Sequence, residues 1–265
     1  MKTMKIKITY LIAIAVFVSS CSNDYLDVKP KGTELEDNFY QNADDALEGL
    51  IAIYDQVGGT SGGYINKFTA TMGASDDHYA GGANSTDLMN LQVWSNYTVE
   101  PATGPQGELW DRGFSGIFRA NTLISKLPDI PMGENLKTRY LAEAKFLRAY
   151  FYFDLIRYFE NIPLFEETLS ADEIYDVVQA EPEAVYNLMV ADLTFAMQVL
   201  PITVAVEIDG GRATAGAAKA LLGKVYLQQK KYGLAAGQFE EVNGIPGGAS
   251  QFGYSLLDNF EDLWD

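Results

Sequence analysis

The sequence predicts a mainly α-helical protein in which a helical repeat scaffold is interrupted by long irregular loops. Apolar side chains recur at intervals of three and four along several segments, which is the period of an amphipathic helix. No segment of comparable strength shows the alternation of apolar and polar residues that is typical of a half-buried strand. With 48% hydrophobic residues, the 265-residue chain can bury a substantial core, so we expect a globular fold.

Four segments have a clear helical period, and their ends coincide with helix start and stop signals. The glycine-rich residues 58–63 end the first segment, because glycines lose much entropy when they are ordered. Pro182 suits a first helical turn, Thr214 is the expected N-cap of a later helix, and Asn121 is expected to be a buried structural amide. The predicted helices are 43–57, 107–127, 139–159 and 182–200.

Residues 64–106 form the longest stretch without a clear helical period. They are rich in Gly, Ser, Asn, Asp and aromatic residues. Long ordered loops commonly hold functional residues. We therefore expect an irregular loop region that contributes to a site.

A repeat pattern follows Thr214. The order Leu-Gly-x-x-Tyr, then a small residue, then an aromatic residue four positions later, matches the tetratricopeptide pattern of two packed helices. In such a pair, Gly223 lets the helices approach each other, while Ala235 and Phe239 form a small and large pair. The predicted repeat-packing residues are Leu222, Gly223, Tyr226, Tyr232, Ala235 and Phe239.

The N-terminus has the organisation of an export signal that ends at the only cysteine of the chain, Cys21. Three lysines precede the apolar residues 8–18, and Ser19 and Ser20 lie directly before the cysteine. The apolar run is too short to span a bilayer, which takes about 20 residues. We therefore predict a lipoprotein signal peptide over residues 1–20, lipidation of Cys21, and a polar tether over residues 21–33. The alternative is an ordinary signal peptide in which the cysteine is incidental.

The charge of the chain is strongly negative. The formal net charge is -17, and residues 1–20 contain three of the 19 basic residues and none of the 36 acidic ones, so the remainder has a net charge of -20. A surface of this sign repels phosphate backbones and anionic headgroups, which argues against nucleic acid as a partner. We expect membrane attachment through a lipid instead.

One cluster in the irregular region combines carboxylates, an imidazole and aromatic rings. Aromatic rings cover the apolar face of a sugar, while carboxylate and amide groups bond its hydroxyls. An alternative is that the aromatic residues are core residues and the acids are solvated. A transition-metal site or a calcium site is a further alternative, although we expect no cofactor. The candidate ligand-binding residues are Asp76, Asp77, His78, Tyr79, Trp94, Asn96 and Tyr97.

No catalytic set stands out in the sequence. A single histidine and a single cysteine exclude most imidazole-based catalysis and any thiolate metal cluster. The glycine-rich residues 209–212 and Gly223-Lys224 do not have the spacing of a phosphate loop. A pair of distant carboxylates for glycoside hydrolysis is not excluded by the sequence.

Several segments together resemble the SusD/RagB family of surface lipoproteins from Bacteroidetes nutrient-uptake systems. The order and spacing of these segments, more than any one motif, give the resemblance. The similar segments are 21–32, 38–54, 110–124, 142–150, 162–164 and 211–214.

The resemblance implies a non-enzymatic protein with a tetratricopeptide-like helical fold over residues 34–265. It implies that the protein binds oligosaccharides or other nutrients at the outside of the outer membrane and delivers them to a SusC-like TonB-dependent transporter. Members of the family are generally longer, so this chain is expected to represent an N-terminal portion. Two alternatives are a scaffold that binds the transporter without carbohydrate affinity and, more remotely, a lipoprotein hydrolase.

Overall fold

A computed structural model describes residues 39–58, 67–170, 172–244, 248–255, 257 and 259–263. The predicted signal peptide, Cys21 and the tether lie outside these residues. The chain divides into a unit of residues 1–39 and a unit of residues 40–265. Its helices are α1 Ala43–Gly58, α2 Lys67–Gly73, α3 Met89–Ser95, α4 Gln106–Lys126, α5 Glu134–Phe159, α6 Pro182–Val199, α7 Val206–Asp209, α8 Ala215–Gln228 and α9 Tyr232–Asn243. Short 3-10 turns cover Leu127–Asp129, Glu173–Asp176 and Phe260–Leu263.

The mainly helical prediction is confirmed. The described residues form helices, turns and two isolated β-bridges, Glu100 with Thr103 and Pro163 with Gln179, but no strand. The four helices predicted from periodicity lie within a few residues of α1, α4, α5 and α6. Within the same described ranges, no helix is both long and apolar enough to cross a bilayer.

The prediction for residues 64–106 needs a correction, because this region contains the short helices α2 and α3. Each has seven residues. Seven residues are fewer than two full helical turns, so the hydrophobic period is too short to recognise. The region is therefore two short helices joined by a loop.

The long helices stack in chain order. Helix α1 packs on α4, α4 on α5, α5 on α6, α6 on α8, and α8 on α9. Two glycines of α4 allow its close approach to α5, because an added Cβ at Gly113 would lie 2.7 Å from Leu155 Cγ and one at Gly116 would lie 2.4 Å from Phe151 Cε2. Small residues at a crossing point thus determine how near these two helices lie.

A buried charged network joins α4, α5 and α6. Arg148 donates from Nε and Nη2 to the two carboxylate oxygens of Asp192, at 2.8 and 2.9 Å, and from Nη1 to Asn121 Oδ1 at 2.8 Å. Lys145 Nζ also donates to Asp192 Oδ1 at 2.8 Å. Asn121 is buried and donates in turn to the carbonyl oxygens of residues 165 and 167. The prediction that Asn121 is a buried structural amide is confirmed.

A second network surrounds the fully buried carboxylate of Glu143. It accepts two hydrogen bonds from Arg212, at 2.7 and 2.9 Å, one from Arg139 and one from the Tyr54 hydroxyl at 2.8 Å. That hydroxyl accepts from the backbone N–H of Ala213 at 2.8 Å. Burial raises the pKa of Tyr54 and the Glu143 carboxylate raises it further, so the hydroxyl remains a donor. The network fixes the start of α8 to α1 and α5.

The hairpin of α8 and α9 has the contacts that the repeat pattern requires at its centre. An added Cβ at Gly223 would lie 2.6 Å from Phe239 Cε1, so only glycine permits this approach. Leu222 and Ala235 are buried and Tyr226 is half-buried, whereas Tyr232 is 63% exposed. Thr214 Oγ1 accepts from the backbone N–H of Ala217 at 3.2 Å, which confirms the predicted N-cap. The assignment of this hairpin to a tetratricopeptide repeat stays a prediction.

Candidate ligand-binding platform

The candidate site lies on residues 67–97, which comprise α2, the loop after it, α3 and the two residues that follow. We call this segment the platform. It contacts the C-terminal half of α5 through a few side chains. Lys67 Nζ lies 2.6 Å from Asp154 Oδ2 and 2.8 Å from the Tyr150 hydroxyl, and the hydroxyls of Thr71 and Tyr158 are 3.1 Å apart. The sequence predicts a loop for this segment, whereas the structure has two short helices, and these contacts join the first of them, α2, to α5.

Lys67 is the main electrostatic link between the platform and α5. Burial lowers its pKa, but the hydrogen bond and the charge of Asp154 outweigh that effect, so the pKa of Lys67 is raised from its ordinary value. Its ammonium group also lies 4.6 Å from the centroid of the Tyr150 ring. Lys67 therefore carries its positive charge at neutral pH.

The two short helices of the platform are held against each other by polar contacts. The Tyr97 hydroxyl donates to the carbonyl oxygen of Ala74 at 3.2 Å, and the N–H of Ala80 donates to Ser95 Oγ at 3.3 Å. Tyr97 has a φ of 56°, in the left-handed region that bulky residues rarely adopt. A left-handed residue reverses the chain direction directly after α3, so the phenol ring can reach back to the end of α2.

The structure places all seven predicted ligand residues on the platform but in two groups. Residues 76–79 lie in the loop after α2 and are exposed, Tyr79 by 79%. Asn96 and Tyr97 follow α3 and are also exposed, Tyr97 by 75%. Trp94 is half-buried, with its ring centroid 6.1 Å from that of Tyr158. The two tyrosines are therefore accessible to a ligand, while Trp94 packs against α5.

These side chains are suited to binding a neutral polyhydroxylated molecule. The accessible tyrosine rings offer flat apolar surfaces, and the neighbouring carboxylates and the Asn96 amide offer hydrogen-bonding groups. Among the described residues, no three or more His, Cys, Asp or Glu side chains form a group that could hold a metal ion. Exposed rings beside hydrogen-bonding groups are the combination that a saccharide-binding surface needs.

A cleft beside the platform was missed by the sequence reasoning. It has a volume of about 450 Å³ and lies between α1, α2, α4 and α5. Leu109, Phe151 and Leu155 line its apolar part, and Asp154 and Tyr158 are among its polar residues. A polar stripe along α5 is the feature of the sequence that could have indicated this cleft. It consists of residues spaced by four, Tyr150, Asp154 and Tyr158, beside the apolar stripe of the same helix.

Comparison with protein families gives one match over most of the chain. A SusD-like family model, described as "Starch-binding associating with outer membrane", matches residues 24–227. SusD-like protein P38 of Formosa agariphila is 34% identical over 217 residues, which are 74% of this chain and 40% of that protein. SusD-like protein P2 of the same organism is 28% identical over 262 residues, which are 98% of this chain and 50% of that protein. The chain spans half or less of the length of these curated relatives.

Solved structures show the same fold. A laminarin binding SusD-like protein is 46% identical with a TM-score of 0.80, over 85% of this chain and 48% of that one. The surface glycan-binding protein A from Bacteroides uniformis is 27% identical with a TM-score of 0.71, over 84% of this chain and 49% of that one. A surface glycan-binding protein A from Bacteroides thetaiotaomicron, solved in complex with laminarihexaose, is 23% identical with a TM-score of 0.70 over 84% of this chain and 46% of that one, which supports the fold alone.

Proposed function

The chain belongs to the SusD-like family, and on that premise we propose that it is a glycan-binding lipoprotein of the outer-membrane surface. In this proposal it captures oligosaccharides and delivers them to a SusC-like TonB-dependent transporter. The family description names binding and association with the outer membrane and no reaction, which agrees with the expected non-enzymatic role and leaves the lipoprotein hydrolase without support.

The observation that carries the binding proposal is the exposure of Tyr79 and Tyr97 on the platform. Both tyrosines are more than two-thirds exposed, so their rings are free to cover the apolar face of a sugar. Asp76, Asp77 and Asn96 lie next to these rings in sequence and are also exposed, so they can bond the sugar hydroxyls. Because a laminarin binding relative is 46% identical, a laminarin oligosaccharide is the first ligand to test.

Isothermal titration of the full chain with laminarihexaose tests the proposal. We expect Tyr97→Ala to weaken binding about tenfold or more, which corresponds to roughly 1.4 kcal/mol. Tyr175→Ala is the matched control, because Tyr175 is 87% exposed and lies in the turn Glu173–Asp176, away from the platform in sequence. Equal affinities for both variants would exclude Tyr97 from the site.

Two further variants probe the remainder of the platform. Asp77→Ala removes an exposed carboxylate and should reduce affinity without affecting the fold. Trp94→Ala removes a half-buried ring that packs on Tyr158, so it should reduce both affinity and the order of the platform. If neither variant alters the affinity for any oligosaccharide that the wild type binds, the platform is not the binding surface.

The membrane attachment in this proposal depends on Cys21. The support is the sequence, in which an apolar run of export-signal length precedes a lone cysteine and a polar tether. The family description adds association with the outer membrane. We expect the Cys21→Ser variant to lose incorporation of a palmitate analogue and to leave the membrane fraction. Surface exposure is tested separately, by digestion of intact cells with an added protease.

A second candidate function is a scaffold that binds the transporter and has no carbohydrate affinity of its own. The close packing of Gly223 on Phe239 favours it, because paired helices of this type commonly form protein-binding surfaces. This candidate predicts co-purification with a large β-barrel protein and no heat of binding with any oligosaccharide. Measured oligosaccharide binding that Tyr97→Ala abolishes would contradict it.

A further inference from the structure

A second groove opens on the other side of the contact between Lys67 and α5. It has a volume of about 330 Å³ and lies between the start of α2, the C-terminal half of α5 and one face of α8. Lys67, Tyr150 and Asp154 form a wall that it shares with the larger cleft. Phe153, Leu221 and Leu227 supply its apolar surface. We call it the basic groove, for the residues Lys67, Arg157 and Lys224 that line it.

The charge of the basic groove is opposite to that of the protein as a whole. Its lining contains three cationic side chains and one carboxylate, Asp154, whereas the whole chain has 19 basic and 36 acidic residues. A local positive site on a strongly acidic protein attracts anions that the remainder of the surface repels.

Asp154 does not neutralise this group of cations. It contacts Lys67 Nζ at 2.6 Å and Arg157 Nη2 at 2.6 Å, so one negative charge is shared between two positive ones. Lys224 is exposed and makes no ion pair within the part of the chain that the structure describes. One cation in the lining is therefore available to bind an added anion.

Two of the cations in the groove have ordered side chains, which favours the binding of an anion. Arg157 lies with its guanidinium carbon 4.3 Å from the Phe153 ring centroid and donates from Nε to the Phe153 carbonyl oxygen at 3.1 Å. Lys67 is held by Asp154 and by the Tyr150 hydroxyl. Side chains that are already ordered lose less entropy when a ligand binds. The Gln228 amide and Tyr150 add hydrogen-bonding groups at the rim.

We propose that the basic groove binds the carboxylate or sulfate group of an acidic saccharide. A carboxylate or sulfate offers several acceptor oxygens to Lys224 and Arg157, and the apolar surface of Phe153 and Leu227 contacts the sugar ring. The saccharide part of this inference rests on the proposed glycan-binding function. The anion part rests only on the charges that line the groove.

The test compares Lys224→Glu with Lys230→Glu in the full chain. Both variants change the net charge equally and both residues are exposed, but only Lys224 lines the groove. The probes are trigalacturonate, inorganic sulfate and laminarihexaose, each titrated at about 50 mM and about 500 mM salt, concentrations between which charge screening rises strongly. Circular dichroism of both variants checks that the fold is retained.

We expect Lys224→Glu to weaken trigalacturonate or sulfate binding about tenfold or more, and Lys230→Glu to change it less than about twofold. High salt should weaken the same binding, whereas laminarihexaose should respond to neither variant nor salt. Binding of trigalacturonate without sulfate, or the reverse, identifies which anionic group is recognised. Failure of the wild type to bind either anion, or an equal loss in both variants, would overturn the inference.

These outcomes separate the basic groove from the platform. If laminarihexaose binds and Tyr97→Ala abolishes that binding, but neither anion binds, the proposed function stands and the basic groove is wrong. If an anion binds in a manner that depends on Lys224, but no neutral oligosaccharide binds, the groove stands and the platform proposal fails.

Discussion

The core of α5 and the platform beside it both use polar and aromatic side chains, but they use them in opposite ways. In the core, the side chains of Arg148 and Asp192 are 5% and 1% exposed and bond to each other. On the platform, Tyr79 and Tyr97 are 79% and 75% exposed. Polar groups that are satisfied internally specify packing, whereas groups left at the surface remain available to a ligand. This contrast separates the residues that we expect to affect stability from those that we expect to affect binding.

The largest expected effect on stability is that of Arg148→Met. This variant leaves the Asp192 carboxylate buried with only Lys145 as a cationic partner, and it removes a donor from Asn121. Breaking a buried ion pair by removing one partner costs about 3–5 kcal/mol. Urea unfolding should show a lower midpoint with an unchanged slope.

The double variant Arg148→Met with Asp192→Leu is the control for this prediction. Replacing both members of a buried ion pair by apolar residues is often nearly neutral. Lys145 also loses Asp192 in this variant, but its side chain is 23% exposed, so its ammonium group can be solvated. The double variant should therefore be more stable than Arg148→Met alone. If it is less stable, the cost of Arg148→Met comes from lost packing rather than from an unpaired charge.

The next effect is a steric one within α4. In Gly116→Ala the added methyl group would lie 2.4 Å from the Phe151 ring, and overpacking of this kind costs about 1–3 kcal/mol. Gly107→Ala in the same helix is the matched control, since nothing lies within 4 Å of its added Cβ. That change should stabilise the protein by up to about 1 kcal/mol, because alanine favours helices. Thermal unfolding should shift in opposite directions, and a shift in the same direction would contradict the close approach of α4 and α5.

The difference between core and platform also explains which features the sequence could predict. Helices α1, α4, α5 and α6 extend over several turns, so their hydrophobic period is visible. The sequence predicts a buried amide at Asn121 because this polar residue lies on an apolar stripe. The pair of Arg148 and Asp192 was missed, because its members are 44 residues apart and nothing local links them.

The sequence predicts an irregular loop for the platform, but not its two short helices or how they are arranged. Its composition of tyrosines and acids was visible in the sequence, but which rings are exposed depends on packing against Tyr158, which lies 64 residues after Trp94. The basic groove could not be predicted from the sequence for the same reason. Lys67, Arg157 and Lys224 are distant in sequence and come together only through the stacking of α5 and α8.

A smaller effect is expected for the ion pair that links the two regions. Lys67→Met removes the contact with Asp154, but the Lys67 side chain is 42% exposed, so screening by solvent keeps the cost in global stability below about 1 kcal/mol. Because the pKa of Lys67 is raised, the pair contributes at neutral pH, and its contribution is lost as the pH rises through that raised pKa.

Hydrogen exchange should locate the effect of Lys67→Met. We expect faster exchange in residues 67–97 and no change in α4 or α5, because the platform opens without global unfolding. Lys219→Met is the control, since Lys219 pairs with Glu241 of α9 instead. Faster exchange of α5 in Lys67→Met would mean that the platform is an integral part of the core.

The smallest effect on stability is expected for Tyr97→Gly, at a residue where we expect a large effect on binding. Tyr97→Gly removes the ring and its bond to Ala74, and it relieves the left-handed φ of 56°, a conformation that costs a non-glycine residue about 1–2 kcal/mol. Glycine also loses more entropy on folding, by about 0.5–1 kcal/mol, and it forfeits that hydrogen bond, so the net change in the free energy of unfolding should be within about 0.5 kcal/mol. Tyr97→Ala keeps the strained backbone and should be less stable than Tyr97→Gly by about 1 kcal/mol.

If both variants lose laminarihexaose binding while only Tyr97→Ala loses stability, the tyrosine is retained at a strained position for its ring. If Tyr97→Gly keeps full affinity, the ring serves only to hold α2 against α3.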